Sequence, residues 1–173
     1  MTRSLSVLLP VHNAQATLEA DVGQMLDVLP ELTHDFHLMI LDDGSTDATF
    51  EVAQELTTRF PQVKYHRHSR RRGAEAAIRD GLAHTQSPIV LAHNGQTRID
   101  PAEVLRVWPG YSKATTSPRS SFQLLRRDAG QPIGPFRGIH RIEPRHQSES
   151  ALPPVANRRP TFLSRLKTFA LGE

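Results

Sequence analysis

Apolar residues recur along the first hundred positions with two alternating periods. Near-continuous short runs fall at residues 4–9 (SLSVLL), 36–41 (FHLMIL) and 88–92 (PIVLA), with a shorter one at 63–66 (VKYH). Runs of this length, bounded by turn formers, predict strands buried on both faces. Between them the spacing changes to that of a helix. Leu18, Val22, Met25, Leu26 and Leu29 share one helical face that Pro30 is expected to close. Phe50, Ala53, Leu56 and Phe60 mark a second, ended by Pro61, and Ala77, Ile78, Leu82 and Ala83 a third. Asp100-Pro101-Ala102-Glu103 has a capping-box pattern with proline at the first helical position, opening a fourth helix through Trp108.

The order βαβαβαβα with short connections predicts a parallel sheet with right-handed crossovers; if the strand order is 3-2-1-4, the first and fourth strands are neighbours. Each strand runs into a polar cluster: PVHN (10–13), DDGSTD (42–47), SRRRG (69–73) and HNGQ (93–96). All four therefore gather along the carboxyl edge of the sheet, where open α/β sheets bind ligands. A buried strand cannot carry charge along its length, so Asp42 and Asp43 stand at its carboxyl end. Gly44 permits the tight turn, and Ser45 is an expected N-cap of the next helix. Basic loops and helix N-termini at that edge favour phosphate, which predicts a nucleotide-like ligand.

Beyond Trp108 the periodicity dissolves. Residues 111–160 hold seven prolines and eight arginines among few apolar residues, the composition of a flexible segment. Within it, 121–125 (SFQLL) is a candidate extra strand. Residues 161–173 place Phe162, Leu163, Leu166, Phe169 and Ala170 on one face of a short amphipathic helix, suited to docking on the protein's own core, on a protein partner or on a membrane surface. The net charge of +3 hides a split: residues 1–110 carry −4 and residues 111–173 carry +7. An anionic membrane surface is thus a candidate contact for the tail, whereas the scarcity of aromatics argues against nucleic acid. With no cysteine, disulfides and thiolate metal sites are excluded. The opening apolar run is too short for a bilayer span, so a cytoplasmic protein, with peripheral membrane contact through the tail, is expected.

Together SVLLPVHN, LDDGSTDAT, RRRGAEAAIRDGL and VLAHNGQTRIDPAEV resemble the family 2 glycosyltransferases of GT-A fold, in particular the dolichyl-phosphate mannosyltransferase-like group. The resemblance covers residues 4–108. It implies a three-layer, Rossmann-like nucleotide-binding half over residues 1–110, to which the composition adds a mostly disordered basic tail. It also implies a nucleotide-sugar donor and transfer to a lipid or protein hydroxyl. Pro10, Val11 and Asn13 match the loop that lines the base. Asp42 and Asp43 match the acidic pair that contacts base or ribose. Gly73 and Arg79 match the third motif, in which Arg71 stands in place of the usual asparagine and Glu75 in place of a glycine.

The fourth motif departs furthest from the family pattern. Ala92 and Asn94 occupy the positions of its two metal-binding aspartates, with His93 between them. The family's Mg²⁺ or Mn²⁺ wants carboxylate oxygens, which alanine and asparagine do not supply. His12 and His93 with Asp42 or Asp43 form an alternative donor set, suited to Zn²⁺. Residues 120–129 resemble a later family segment, which would make Asp128 a remnant position. No catalytic residue is identified. Two readings follow: a small glycosyltransferase, or an inactive relative that keeps the donor half-site as a binding or interaction module.

Overall fold

Parallel strands buried on both faces need covering layers, and the sequence supplies them in alternation. The computed structural model describes residues 4–108 and 120–126. In it β1 (Leu5–Val11), β2 (Phe36–Asp42), β3 (Val63–Arg67) and β4 (Ile89–His93) form a parallel sheet. A fifth strand, β5 (Phe122–Arg126), joins antiparallel to β4, giving the order β3-β2-β1-β4-β5. The parallel strands thus run in the order 3-2-1-4, with the candidate strand in the arginine-rich segment added at its edge.

Helices α1 (Leu18–Leu32), α2 (Thr49–Arg59) and α4 (Pro101–Val107) cover one face, α1 packing against both of the others. Helix α3 (Ala74–His84) covers β1 and β2 on the opposite face. Side chains alternate across a strand, so Leu8, Met39, Leu41, Val90 and Ala92 meet Ala77 and Ile78 of α3 in one buried cluster. A Cβ on Gly81 would lie 2.7 Å from a Leu41 methyl, so glycine there lets α3 lie close on the sheet.

Several element ends differ from expectation. Helix α1 does not stop at Pro30 but runs to Leu32. Proline removes a single i→i−4 bond, and the Thr33 N–H still donates to the Leu29 carbonyl at 3.2 Å, so the last turn holds. Ser45 is not an N-cap, because α2 begins at Thr49. Asp47 instead accepts the Thr49 N–H at 3.0 Å. Asp100 does cap α4 by accepting the Ala102 N–H at 2.9 Å. The reciprocal half of that capping box is absent, because the Glu103 carboxylate takes the Ser121 N–H and hydroxyl.

Strand β1 pairs with β2 along its whole length, from Leu5↔Phe36 to Val11↔Asp42. Its pairing with β4 covers only Leu5↔Ile89 to Leu8↔Ala92. Pro10, which has no N–H to give a ladder, sits beyond the point where β1 and β4 part. This is also where the chain's connections change direction, from β1 toward β2 on one side and toward β4 on the other. Crevices form at such points.

Strand β5 limits the flexibility expected of residues 111–160, since Phe122 is 1% exposed and its ring centroid lies 4.9 Å from that of His93. The rest of that segment, Asp128 and the helix expected over 161–173 lie outside the described residues. Truncating Phe122→Ala should cost about 3–5 kcal/mol of folding stability, through lost burial and a cavity beside β4. Urea unfolding followed by circular dichroism measures this, and an unchanged midpoint would place β5 outside the cooperative unit.

Candidate functional site

Where β1 and β4 part, a cavity of about 280 Å³ opens at the carboxyl edge, lined by Pro10, His12, Asn13, His93, Thr97 and Arg98 among others. The loop after β1 is held by the loop after β2. Asn13 adopts a left-handed backbone (φ 52°), a conformation asparagine tolerates. Its N–H donates to Ser45 Oγ at 2.9 Å, and its Oδ1 accepts the Thr46 N–H at 2.9 Å. The Ala14 N–H donates to Thr49 Oγ1 at 2.8 Å. His12 Nδ1 donates to the Asp43 carbonyl at 3.0 Å, which leaves Nε2 unbonded to that loop.

The acidic pair faces inward. Asp42, whose side chain is fully buried, accepts from the Ser45 N–H at 2.8 Å and from the Tyr65 hydroxyl at 2.7 Å, with Arg67 Nε at 3.4 Å. Burial and the neighbouring Asp42 push the Tyr65 phenol up, which keeps it a neutral donor. Asp43 accepts His68 Nδ1 at 3.0 Å, the Arg72 N–H at 2.7 Å and the Gly73 N–H at 2.6 Å. Desolvation pushes its carboxyl up, but the bonds from His68, Arg72 and Gly73 outweigh that and hold it below the ordinary carboxylate range. Gly44 (φ +70°) seals the junction: a Cβ there would lie 2.5 Å from the Arg70 carbonyl carbon and 2.6 Å from the Arg71 nitrogen. Asp43 thus ties the loop after β3 to the loop after β2, Asp42 ties β3 itself to that turn, and the side chains of Arg70 and Arg71 stand exposed beside them.

The end of β4 does not fit the oxygen-seeking cation that the family resemblance implies. Ala92 is 1% exposed within the apolar cluster under α3. Asn94 Oδ1 already accepts from the Gln96 N–H at 2.8 Å and from Thr97 N and Oγ1 at 3.2 Å each, closing the turn. His93 Nδ1 accepts the Gly95 N–H at 3.1 Å, so a neutral ring carries its proton on Nε2. Burial lowers the His93 pKa to about 4, partly opposed by Glu103.

The proposed zinc set is not assembled either. His12 and His93 border one cavity, but neither Asp42 nor Asp43 lines it, and both carboxylates are engaged with other groups. The residues named from sequence therefore fall into two groups. Pro10, Val11, His12, Asn13 and His93 surround the cavity, whereas Asp42, Asp43, Arg71 and Gly73 form the junction of two loops. Asn94 shapes the turn between them. Sequence reasoning missed Thr97 and Arg98, whose place just after the fourth strand was the available signal. It also missed Tyr65, His68 and Asp80, for which only the H-x-H spacing of His66 and His68 offered a hint.

A family model described as Glycosyl transferase family 2 matches residues 6–113. The uncharacterized glycosyltransferase sll0501 of Synechocystis sp. is 29% identical over 105 residues, covering 61% of this chain and 33% of that protein. Dolichol-phosphate mannosyltransferase of Pyrococcus furiosus is 28% identical over 97 residues, covering 56% of this chain and 27% of that protein. The chain thus spans about a third of the length of the curated relatives it matches. Among solved structures, glucosyl-3-phosphoglycerate synthase from Mycobacterium tuberculosis, in complex with Mn²⁺, UDP and phosphoglyceric acid, is similar with a TM-score of 0.50 at 26% identity. That alignment covers 64% of this chain and 39% of that one.

Two outcomes follow from the geometry. Gly44→Ala forces the Arg70–Arg71 backbone away from the turn and should cost at least about 1–3 kcal/mol, read as a lower urea midpoint. The second concerns pH. An unfolded histidine titrates near 6.5, whereas folded His93 titrates at about 4. Its contribution is therefore complete above pH 6.5 and is lost as the pH falls toward 4, by up to about 3 kcal/mol. His66, lowered by burial and by His84 and His68, acts in the same direction. Denaturant titrations from pH 7.5 to 4.5 should show falling stability with a shallower slope in His93→Gln; equal slopes would contradict the assignment.

Proposed function

The chain belongs to glycosyl transferase family 2, and on that premise we propose that it binds a nucleotide sugar along the carboxyl edge of its sheet without the family's divalent cation. The observation that carries this reading is the opening between β1 and β4, about 280 Å³, bordered by Pro10, Asn13 and Arg98. It coincides with the point where strand connections reverse, the general ligand position of such sheets. The nucleoside lies against residues 10–13 and the turn of residues 42–46. The exposed guanidinium groups of Arg70 and Arg71 take the diphosphate, which arginine binds through paired N–H donors. Asp42 and Asp43 contribute indirectly, by fixing the arginine loop against the base-side turn.

Sugar transfer is a separate demand. Charge builds on the departing diphosphate, and chelation by a dication is one way to stabilise it. Ala92 and Asn94 offer no carboxylate for such an ion, and arginines on an exposed loop are a weaker substitute. These two positions support a donor-binding module with little or no transferase activity of its own. If transfer takes place, the likeness to a dolichol-phosphate mannosyltransferase supports a lipid-linked acceptor over a protein hydroxyl.

Calorimetric titration with UDP-glucose and GDP-mannose, with and without Mn²⁺, tests the reading. Weak saturable binding of one of them is expected, changing by less than about tenfold on adding Mn²⁺. Arg70→Gln with Arg71→Gln should weaken it. Asn94→Asp is the reversion the fold tolerates, whereas Ala92→Asp would bury a carboxylate among Leu8, Ala77 and Ile78. Robust Mn²⁺-stimulated sugar transfer by the unmodified chain would overturn the proposal.

A further inference from the structure

A second cluster of chemically capable side chains lies away from the cavity, between β3 and α3. Residues 66–68 read His-Arg-His, so both imidazoles extend to the same side at the end of the edge strand. Asp80 and His84 stand four apart on α3, which places them one turn apart on a single helix face. Packing brings the two elements together: ligand atoms of His66, His68 and Asp80 all lie within 4.8 Å of one another. The His84 ring stands over that of His66, centroids 4.6 Å apart, and His84 Nδ1 donates to the Asp80 carbonyl at 2.7 Å.

From this juxtaposition we infer that His66, His68 and Asp80 form a binding site for Zn²⁺, distinct from the oxygen-ligated cation position that Ala92 and Asn94 have lost. Two imidazole nitrogens and one carboxylate, with water in the fourth place, match the ligand types of zinc; an ion preferring six oxygens would be poorly served. The outer contacts are those a zinc-ligating histidine needs. His68 Nδ1 is held by Asp43 Oδ1 at 3.0 Å, which directs Nε2 toward Asp80 Oδ2 at 2.8 Å. A carboxylate on the far ring nitrogen fixes both the orientation and the tautomer of a ligating imidazole. His68 is 5% exposed but Asp80 is 31% exposed, so the site has a protected wall and an open entrance.

Ion binding requires modest rearrangement. Tetrahedral ligands about 2.0–2.1 Å from zinc stand roughly 3.3 Å apart, so His68 and Asp80 separate slightly while His66 moves in. Arg72 Nη1, now 2.8 Å from Asp80 Oδ2, gives up that oxygen. The bound ion would thereby join β3 to α3 and lie beside the loop of Arg70–Gly73, through Asp43.

The test uses the untagged full chain after dialysis against a chelator. Calorimetry with ZnCl₂ should show one tight site per chain. Co²⁺ should give the intense visible absorption of a tetrahedral centre, and saturating Zn²⁺ should raise the thermal midpoint by at least about 5 °C. His66→Gln and Asp80→Asn, on partly exposed residues that tolerate change, should each weaken Zn²⁺ binding by at least about tenfold. His34→Gln, on an exposed loop, should leave it unchanged. Absence of a saturable site, or binding that survives both His66→Gln and Asp80→Asn, would overturn the proposal and leave His68 as a hydrogen-bonded bridge between two aspartates.

Discussion

The carboxylate of Asp43 is the constraint on which the edge of this sheet depends. A charge brought to the end of a buried strand must be met by donors, or it costs several kcal/mol. Here His68, Arg72 and Gly73 meet it, and those donors come from the loop after the next strand. Satisfying one charge therefore sets the path of the 69–73 loop, the side on which His68 lies, and the start of α3. Gly44 belongs to the same arrangement, because the Arg70–Arg71 peptide passes where any side chain would stand. Asp42 does the equivalent on the opposite side, binding Tyr65 and the DDGS turn and lying near Arg67.

What the two aspartates hold together leaves the neighbouring space open. Strand β1 follows β2 to its end but leaves β4 after Leu8, and the gap is floored by Pro10, which could not have paired there. The cavity is thus a consequence of backbone pairing, and its lining comes from the two strands that diverge. In this chain Ala92 is part of the core and Asn94 closes a turn.

The histidines are distributed in a way that matches this arrangement. His93, near its pKa of about 4, is a packing group against Phe122 and stays neutral at ordinary pH. His66, His68 and His84 gather instead on the α3 side, next to Asp80 and linked to Asp43. Donor atoms of His66, His68 and Asp80 lie within 4.8 Å of one another there, whereas the end of β4 offers no carboxylate.

The sequence by itself determined the alternation of strands and helices and the placing of four polar clusters at one edge, while the strand order came from the tertiary structure. Apolar periodicity and local turn chemistry act over a few residues, so the first two features are legible without tertiary information. It also determined that the family's metal carboxylates are absent, since residue identity at 92 and 94 needs no geometry. Only the tertiary structure decided what Asp42 and Asp43 face, because their donors lie 3 to 30 residues away and approach only after the loops pack. The same holds for Ser45, which bonds Asn13 rather than capping a helix, and for Pro30, whose turn is held by its neighbours. From sequence only His12 and His93 are candidate imidazole ligands; His66 and His68 are not singled out. That His68 and Arg72 meet the Asp80 carboxylate depends on how β3 and α3 pack, and that long-range contact is absent from any local pattern.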